Sequence, residues 1–268
     1  MTPLVTTVYV LAIGAVIGSF LNVVIYRYPR GESVVFPPSH CPDCDSEIRW
    51  YDNIPIVSFL FLRGRCRACK KPIAVRYPLV EAANALFYLA VYLHLGLSIP
   101  AFLLAALVSM TIVLMYIDAE IQILPDVIDL PGIVVGVAAG MTAASRGYDL
   151  VLARGWIDSL LGAALGAAIV VGISRAYYLL RHAEGMGMGD AKMLAMIGSA
   201  LGWKPVYAVV LIASVTGALF GLGSAIVTGR KDLRFALPFG VFLGFSFLIT
   251  LFFGKEYLSV ILPILGWN

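Results

Sequence analysis

The chain opens on a stretch without a charged residue, residues 4–26 (LVTTVYVLAIGAVIGSFLNVVIY). A helix needs about 20 apolar residues to cross the hydrocarbon core of a bilayer, and this stretch is long enough. A cleaved secretory signal carries its basic residues before the apolar run, whereas Arg27 and Arg30 follow it here. We therefore expect residues 1–28 to form a first transmembrane helix that is retained.

The composition extends this expectation to the whole chain. Of its 268 residues, 60% are hydrophobic and 13% are charged, whereas charged residues make up about 25% of a soluble domain. Further apolar runs lie at 79–97, 101–117, 127–145, 156–180, 191–203, 205–228 and 235–253. We predict an all-α polytopic membrane protein with about eight transmembrane helices, of which the 191–203 run is short for a span.

The basic residues predict an orientation in the membrane. If alternate loops are assigned to opposite sides, all but four of the 19 Lys and Arg residues fall on the side that holds the long loop after the first helix. Cytoplasmic loops are enriched in Lys and Arg, so this side is expected to be cytoplasmic. The net charge of +3 is thus explained by the excess of basic residues on one side of the lipid bilayer. It gives no reason to expect nucleic acid as a partner.

Residues 29–77 form the one loop long enough to fold by itself, and they contain all four cysteines, as Cys41-Pro-Asp-Cys44 and Cys66-Arg-Ala-Cys69. Two CxxC pairs at this separation are typical of a four-thiolate structural zinc site, with no open position for a reacting water. Two disulfides are the alternative, but persistent disulfides are rare in a reducing cytosol. A redox role is less favoured, because no βαβ pattern surrounds either pair.

Two carboxylates near the ends of apolar runs are candidate functional groups, because a carboxylate at membrane depth is costly. Asp118 ends one run and begins the stretch Asp118-Ala-Glu-Ile-Gln-Ile-Leu-Pro-Asp126. Asp190 lies in Gly-Met-Gly-Met-Gly-Asp190, just before the next apolar run. The structural alternative for Asp118 is an ordinary helix-end carboxylate at the headgroup level. This alternative is stronger for Asp126, which can start a helix where the macrodipole favours an acidic residue. For Asp190 the alternative is N-capping.

In the predicted topology, Asp118 and Asp190 lie at the cytoplasmic ends of their helices and can converge on one cavity. Two adjacent carboxylates do not both ionise easily, so one of them keeps a proton. Such a pair can activate water against a peptide carbonyl, as in aspartic proteases.

The chain resembles the bacterial type IV prepilin peptidases, which are leader peptidases and N-methyltransferases of the GxGD class of intramembrane aspartic proteases. The resemblance covers most of the first 200 residues, and a shorter match follows at Leu237-Pro-Phe-Gly240. Its motifs are GSFLNVVIYR at 18–27, the first cysteine pair, RWYDNIP at 49–55, RGRC at 63–66, RYPLVE at 76–81, the Asp118 to Asp126 stretch, and GMGDAK at 187–192.

The resemblance implies a catalytic pair of Asp118 and Asp190, with Asp126 as the rival for the first position. It also implies that the enzyme cuts the short basic leader of prepilins and prepilin-like secretion proteins at the cytoplasmic membrane face. The new N-terminal amine would then be methylated from S-adenosylmethionine. The four-cysteine insert corresponds to the family's usual zinc module, in a bacterial inner-membrane protein of type IV pilus or type II secretion systems.

Polar or glycine residues at predicted cytoplasmic helix ends are candidates for lining a substrate or methyl-donor pocket: Gly187, Gly189, Lys192, Glu81 and Asn22. Each polar one among them is equally explained as an interfacial anchor. The chain is accordingly divided into a first helix at 1–28, a zinc insert at 29–77 and a multi-helix membrane domain with the protease site at 78–268.

Three other functions remain compatible with these patterns. The first is a leader peptidase without methyltransferase activity. The second is a transporter whose membrane carboxylates bind cations, with the zinc module as a regulatory domain. The third is a non-enzymatic assembly scaffold held together by zinc.

Overall fold

The computed structural model describes residues 3–144, 150–182, 186–228 and 237–264. These residues contain no β-strand, and their pairings of extended backbone are two isolated bridges, His40 with Glu47 and Arg65 with Pro72. The helices are α1 (Pro3–Arg27), α2 (Val57–Phe61), α3 (Arg76–Leu95), α4 (Ile99–Ile121), α5 (Asp126–Ala143), α6 (Trp156–Arg181), α7 (Met188–Leu201), α8 (Trp203–Thr228) and α9 (Phe239–Ile264), with 3-10 turns at Tyr28–Arg30 and Trp50–Asp52. The all-α prediction is confirmed.

Seven of these helices are long and apolar enough to cross a membrane, namely α1, α3, α4, α5, α6, α8 and α9. The predicted run at 191–203 is α7, which has 14 residues. At 1.5 Å per residue α7 is about 21 Å long, shorter than a hydrocarbon core of about 30 Å. The chain is therefore a multi-pass membrane protein. The seven candidate spans of the described residues agree with the prediction of about eight, in which the 191–203 run is short for a span.

The chain divides into two compact units, Met1–Gly96 and Leu97–Asn268. Unit 1 comprises α1, the cysteine-containing insert, α2 and α3, and unit 2 comprises α4 to α9. Unit 1 thus joins the insert to the helices on both of its sides. The sequence analysis divides the chain after residues 28 and 77. These two divisions stay predictions as domain boundaries.

Two glycines one helical turn apart on α1 let α3 pack closely in unit 1. A Cβ atom placed on Gly14 would lie 2.7 Å from the Ala85 Cα, and one on Gly18 would lie 2.7 Å from the Glu81 Cα. Small residues at this spacing allow helix backbones to approach closely in a membrane. The Asn84 side chain uses this proximity to donate to the Gly14 carbonyl oxygen at 2.7 Å.

Unit 2 is built around α7, whose residues from Met193 to Leu201 are all buried. Glycines make this possible, because Cβ atoms placed on Gly162 of α6 and Gly198 of α7 would each lie 2.1 Å from the other residue's carbonyl oxygen. One turn further along α6, a Cβ on Gly166 would lie 2.5 Å from the Leu194 carbonyl oxygen. The α6 and α7 backbones are therefore in direct contact, and this contact holds the helix that carries Asp190.

We predict that Gly162→Ala destabilises unit 2, because its methyl group has no room against the α7 backbone. Overpacking of this kind typically costs roughly 1–3 kcal/mol. Gly172 is the matched control, since it also lies in α6 and a Cβ there would meet nothing within 4 Å. Thermal unfolding of the purified protein in detergent should give a lower midpoint for Gly162→Ala than for Gly172→Ala, and equal midpoints would refute the packing argument.

Candidate active site and metal centre

The four cysteines of unit 1 form a single cluster. One ligand atom from each of Cys41, Cys44, Cys66 and Cys69 lies within 4.8 Å of every other, and none of the four is in a disulfide. The Cys41 and Cys69 sulfurs are 3.9 Å apart. Thiolates placed tetrahedrally around one ion at about 2.3 Å would be roughly 3.8 Å apart. The cluster therefore has the donor set and the spacing of a four-thiolate metal site.

The two cysteine pairs have the same local backbone. In each pair, the residue after the second cysteine has a positive φ and donates its N–H to the carbonyl oxygen of the first cysteine. Asp45 donates to Cys41 at 2.9 Å with φ 54°, and Lys70 donates to Cys66 at 3.0 Å with φ 62°. This tight turn brings the two thiols of a pair to the same side of the backbone. Because both pairs have it, all four thiols can face one common point.

Backbone amides and burial act on the thiols in opposite directions. Hydrogen bonding from the Cys69 backbone lowers the pKa of the Cys66 thiol to about 6. Burial raises the pKa of the Cys41 thiol to about 12. His40 is not part of the cluster, because its Nδ1 lies 3.2 Å from the Pro38 carbonyl oxygen.

In unit 2, Asp118 lies near the end of α4 with 4% of its surface exposed. The backbone N–H of Val241, in the first turn of α9, donates to its Oδ2 at 3.2 Å. Gly240 lets α9 come this close, since a Cβ there would lie 2.9 Å from the same oxygen. The positive end of a helix favours a negative charge, so the start of α9 stabilises a carboxylate at this position.

Asp190 lies in the first turn of α7, where its Oδ2 accepts a hydrogen bond from the Gly187 N–H at 3.1 Å. The Asp118 carboxylate is close enough to Asp190 to act on it electrostatically. Leu124 lies between α7 and the start of α9, because Cβ atoms on Gly189 and Gly240 would contact it at 2.9 and 3.1 Å. Gly240 is also the residue beside the Asp118 carboxylate, and Gly189 precedes Asp190. Both predicted carboxylates therefore lie near Leu124 in unit 2.

Asp126 has a different environment from Asp118. It begins α5 after Pro125, and the Lys192 Nζ lies 2.6 and 2.7 Å from its two carboxylate oxygens. Its side chain is 58% exposed. Asp126 is thus held in an ion pair between α5 and α7, and Lys192 serves as its partner.

Asp129 adds a third buried carboxylate to this region. It lies one turn after Asp126 on α5 and is fully buried. No group in the described part of the chain donates a hydrogen bond to either of its oxygens. Asp126, Lys192 and Asp190 are the charged groups that act on it. The interior of unit 2 is therefore strongly acidic at this end.

The five residues proposed from the sequence to line a pocket are divided between the units. Gly187, Gly189 and Lys192 lie beside Asp190 in unit 2. Asn22 and Glu81 lie in unit 1. There, Asn22 donates to the Tyr77 carbonyl oxygen at 3.1 Å, and Glu81 accepts from the Ile56 N–H at 2.7 Å.

Sequence reasoning missed the roles of Leu124, Gly240 and Val241 around the carboxylates. The Leu237-Pro-Phe-Gly240 stretch was the one available signal, because proline and glycine before an apolar run mark a helix start. Nothing in the local pattern relates that helix start to a carboxylate 123 positions earlier.

Two family models match the chain. Residues 12–95 match the bacterial Peptidase A24 N-terminal domain, and residues 104–222 match the type IV leader peptidase family. A Pseudomonas putida protein named prepilin leader peptidase/N-methyltransferase is 34% identical, over 95% of this chain and 93% of that protein. The chain belongs to the type IV leader peptidase family. The two family models also meet near the boundary between units 1 and 2.

Other family members with the same printed name are similar over most of the chain. A Pseudomonas aeruginosa protein is 32% identical over 99% of this chain and 97% of its own length. A Myxococcus xanthus protein is 38% identical over 85% of this chain, which covers 65% of that protein. No solved structure matches the chain.

Proposed function

We propose that this family member is a membrane aspartic peptidase that removes the leader of prepilins and then methylates the new N-terminus. The observation that supports the peptidase proposal is that Asp118 of α4 and Asp190 of α7 lie near the same side chain, Leu124, within range of each other's charge. The names of its relatives, prepilin leader peptidase/N-methyltransferase, supply the substrate class and the second activity. Family membership disfavours the transporter and the scaffold.

The proposed hydrolysis uses Asp118 and Asp190 as a dyad that shares one proton. Backbone amides of Val241 and Gly187 hold Oδ2 of each carboxylate, which leaves the Oδ1 atoms to share the proton and to position a water molecule. The ionised carboxylate takes a proton from this water as it attacks the peptide carbonyl carbon, and the protonated one donates to the carbonyl oxygen. Collapse of the tetrahedral intermediate breaks the C–N bond, and the departing amine takes up a proton from the dyad.

We place this chemistry at the cytoplasmic face of the bacterial inner membrane. The excess of Lys and Arg on one side supports this orientation. A prepilin-like substrate can then present its short basic leader from the cytosol while its apolar helix stays in lipid. Type IV prepilins and secretion pseudopilins both fit this description.

We predict that Asp118→Asn and Asp190→Asn each reduce leader cleavage by about a thousandfold or more, because a dyad works as a unit. Asp126→Asn is the matched control, since Asp126 is held by Lys192 and is expected to keep substantial activity. The measurement is cleavage of a purified prepilin in detergent or liposomes. Activity in Asp118→Asn together with inactivity in Asp126→Asn would move the first catalytic position to Asp126.

We propose zinc as the ion for the cysteine cluster, with a structural role. Four thiolates fill its tetrahedral coordination and leave no position for a reacting water. Between α1 and α3, unit 1 has little regular structure beyond two short 3-10 turns and α2. Metal binding would supply stability that this insert cannot obtain from a core of its own.

The zinc proposal predicts one zinc ion per chain, measured by elemental analysis of the purified protein. Cys44→Ser should lose most of it, because one of four ligands is removed. His40→Ala should retain it, because the ring lies against the Pro38 carbonyl oxygen and outside the cluster. Full zinc content in Cys44→Ser, or loss in His40→Ala, would contradict this ligand set.

The methyltransferase proposal requires S-adenosylmethionine, which supplies an electrophilic methyl group when bound. The substrate amine exposed by leader cleavage must reach that methyl group in its neutral form. We predict that the mass of the mature pilin N-terminus increases by one methyl group when the protein and S-adenosylmethionine are both present. If the amine stays unmodified with the donor present, the protein is a leader peptidase without methyltransferase activity.

A further inference from the structure

A groove of about 430 Å³ lies in unit 1 between α1 and the loop that follows it. The α1 wall of this groove includes a stripe of side chains that recur every three or four residues: Val16, Phe20, Val23 and Arg27. Val16 and Phe20 are exposed, on a helix that is long and apolar enough to span the membrane. Acyl chains are as apolar as a leucine side chain, so the α1 wall suits direct contact with lipid.

The opposite wall comes mainly from an uncharged loop segment, residues 34–39 (VVFPPS). Val35 and Phe36 are adjacent and exposed, and 73% of the Phe36 surface is accessible. Loops on a water-facing surface are usually polar, whereas these two residues present apolar area beside a spanning helix. Both walls of the groove are therefore surfaces of the kind that acyl chains contact.

Of the described residues that line the groove, Arg27 alone is charged. It ends α1 and is 5% exposed, and its guanidinium donates to the carbonyl oxygens of Ser33 at 3.1 Å and Pro38 at 3.2 Å. Within the described residues no carboxylate forms an ion pair with it. A guanidinium has five N–H donors, so these two bonds leave donors for a ligand. A buried cation without a counter-ion favours an anionic group beside it.

The separation of the cation from the apolar end of the stripe fits a phospholipid. Arg27 follows Val16 by 11 residues, which is roughly 16 Å along a helix. One leaflet supplies half of a hydrocarbon core of about 30 Å. The stripe thus has the length of one acyl chain, with the guanidinium at the headgroup end.

The other polar side chains of the lining are neutral, namely Ser19, Ser39 and Asn53. They can donate hydrogen bonds to phosphate or ester oxygens. The described lining contains no acidic side chain, so a ligand with an ammonium group would find no counter-charge there. The lining therefore favours a lipid with a net negative charge over a zwitterionic one, and it disfavours the basic leader of a prepilin.

We propose that this groove binds an anionic phospholipid, with its phosphate on the Arg27 guanidinium and one acyl chain along Phe20 and Val16. Guanidinium and phosphate form charge-assisted and often bidentate hydrogen bonds. The bound lipid ties the start of the cysteine-containing insert to the bilayer, because Arg27 also holds the loop at Ser33 and Pro38. The proposal does not depend on the peptidase or methyltransferase function.

The test compares phosphatidylglycerol with phosphatidylethanolamine of the same acyl chains, by native mass spectrometry of the full-length protein titrated in detergent. The wild-type protein should bind phosphatidylglycerol more tightly, on the order of tenfold to a hundredfold, because a buried charge meets a net negative headgroup. Arg27→Gln should bring this ratio to about one, whereas Arg27→Lys keeps the charge and should keep most of the preference. Arg30→Gln is the matched control, because Arg30 lies outside the lining with its guanidinium over the Tyr26 ring.

A second variant, Asn53→Asp, tests the same site and leaves the bonds from Arg27 to the loop in place. Asn53 is exposed and lines the groove, so the substitution adds the acidic group that the lining lacks. It should lower the affinity for phosphatidylglycerol but not for phosphatidylethanolamine. This variant decides the question if Arg27→Gln does not fold.

Equal affinity of the wild-type protein for the two lipids would overturn the site, and so would an unchanged preference in folded Arg27→Gln or in Asn53→Asp. Glycerophosphoglycerol, the same headgroup without acyl chains, should not displace the bound lipid at equal concentration. If it does, the groove binds a soluble phosphate ester and the lipid proposal is wrong. A prepilin peptide that displaces phosphatidylglycerol would assign the groove to the substrate and would likewise contradict the proposal.

Discussion

Direct backbone contact between α6 and α7 is the constraint on which the rest of unit 2 depends. Gly162 and Gly198 face each other without side chains, so each helix lies against the carbonyl oxygens of the other. A helix of 14 residues is too short to span a bilayer by itself, and it is stable in this interior only if neighbouring helices cover it. Its buried position in turn brings Asp190, in its first turn, near Asp118 of α4.

The proposed dyad combines carboxylates whose surroundings differ. The Asp118 carboxylate accepts a hydrogen bond from the start of α9, whereas that of Asp190 accepts one from the Gly187 amide of its own α7 turn. Asp126, the third acidic side chain of the motif, is neutralised by Lys192. The acidic residues at this end of unit 2 thus differ in their partners: Asp118 and Asp190 accept backbone N–H groups, Asp126 has a lysine, and Asp129 has no hydrogen-bond donor in the described residues.

Much of this arrangement could be predicted from the sequence because its signals are local. Long apolar runs predict the spanning helices, and the CxxC spacing predicts the cysteine cluster that the structure contains. The positions of Asp118 near the end of one helix and of Asp190 at the start of another could be inferred from where the apolar runs end. The described residues contain seven helices long and apolar enough to cross a membrane, in agreement with the prediction of about eight. Hydropathy could not decide the run at 191–203, because it does not distinguish a helix buried in protein from one that crosses lipid.

The features that the sequence does not predict are contacts between residues far apart in the chain. The Val241 amide reaches Asp118 across 123 residues, and Lys192 pairs with Asp126 across 66. Glu81 and Asn22 carry polar groups of the kind expected in a pocket, yet their partners in unit 1 are backbone groups of Ile56 and Tyr77. Sequence pattern specifies a residue's chemistry and its helix, but only packing determines which backbone group it meets.

The central claim is that Asp118 and Asp190 act as one catalytic unit, and the most direct test is the leader-cleavage rate of Asp118→Asn, Asp190→Asn and the double variant. Residues that act as a unit are strongly non-additive, so the double variant should cleave at the same residual rate as either single variant. A double variant whose loss equals the product of the two single losses would show two independent residues and contradict the dyad.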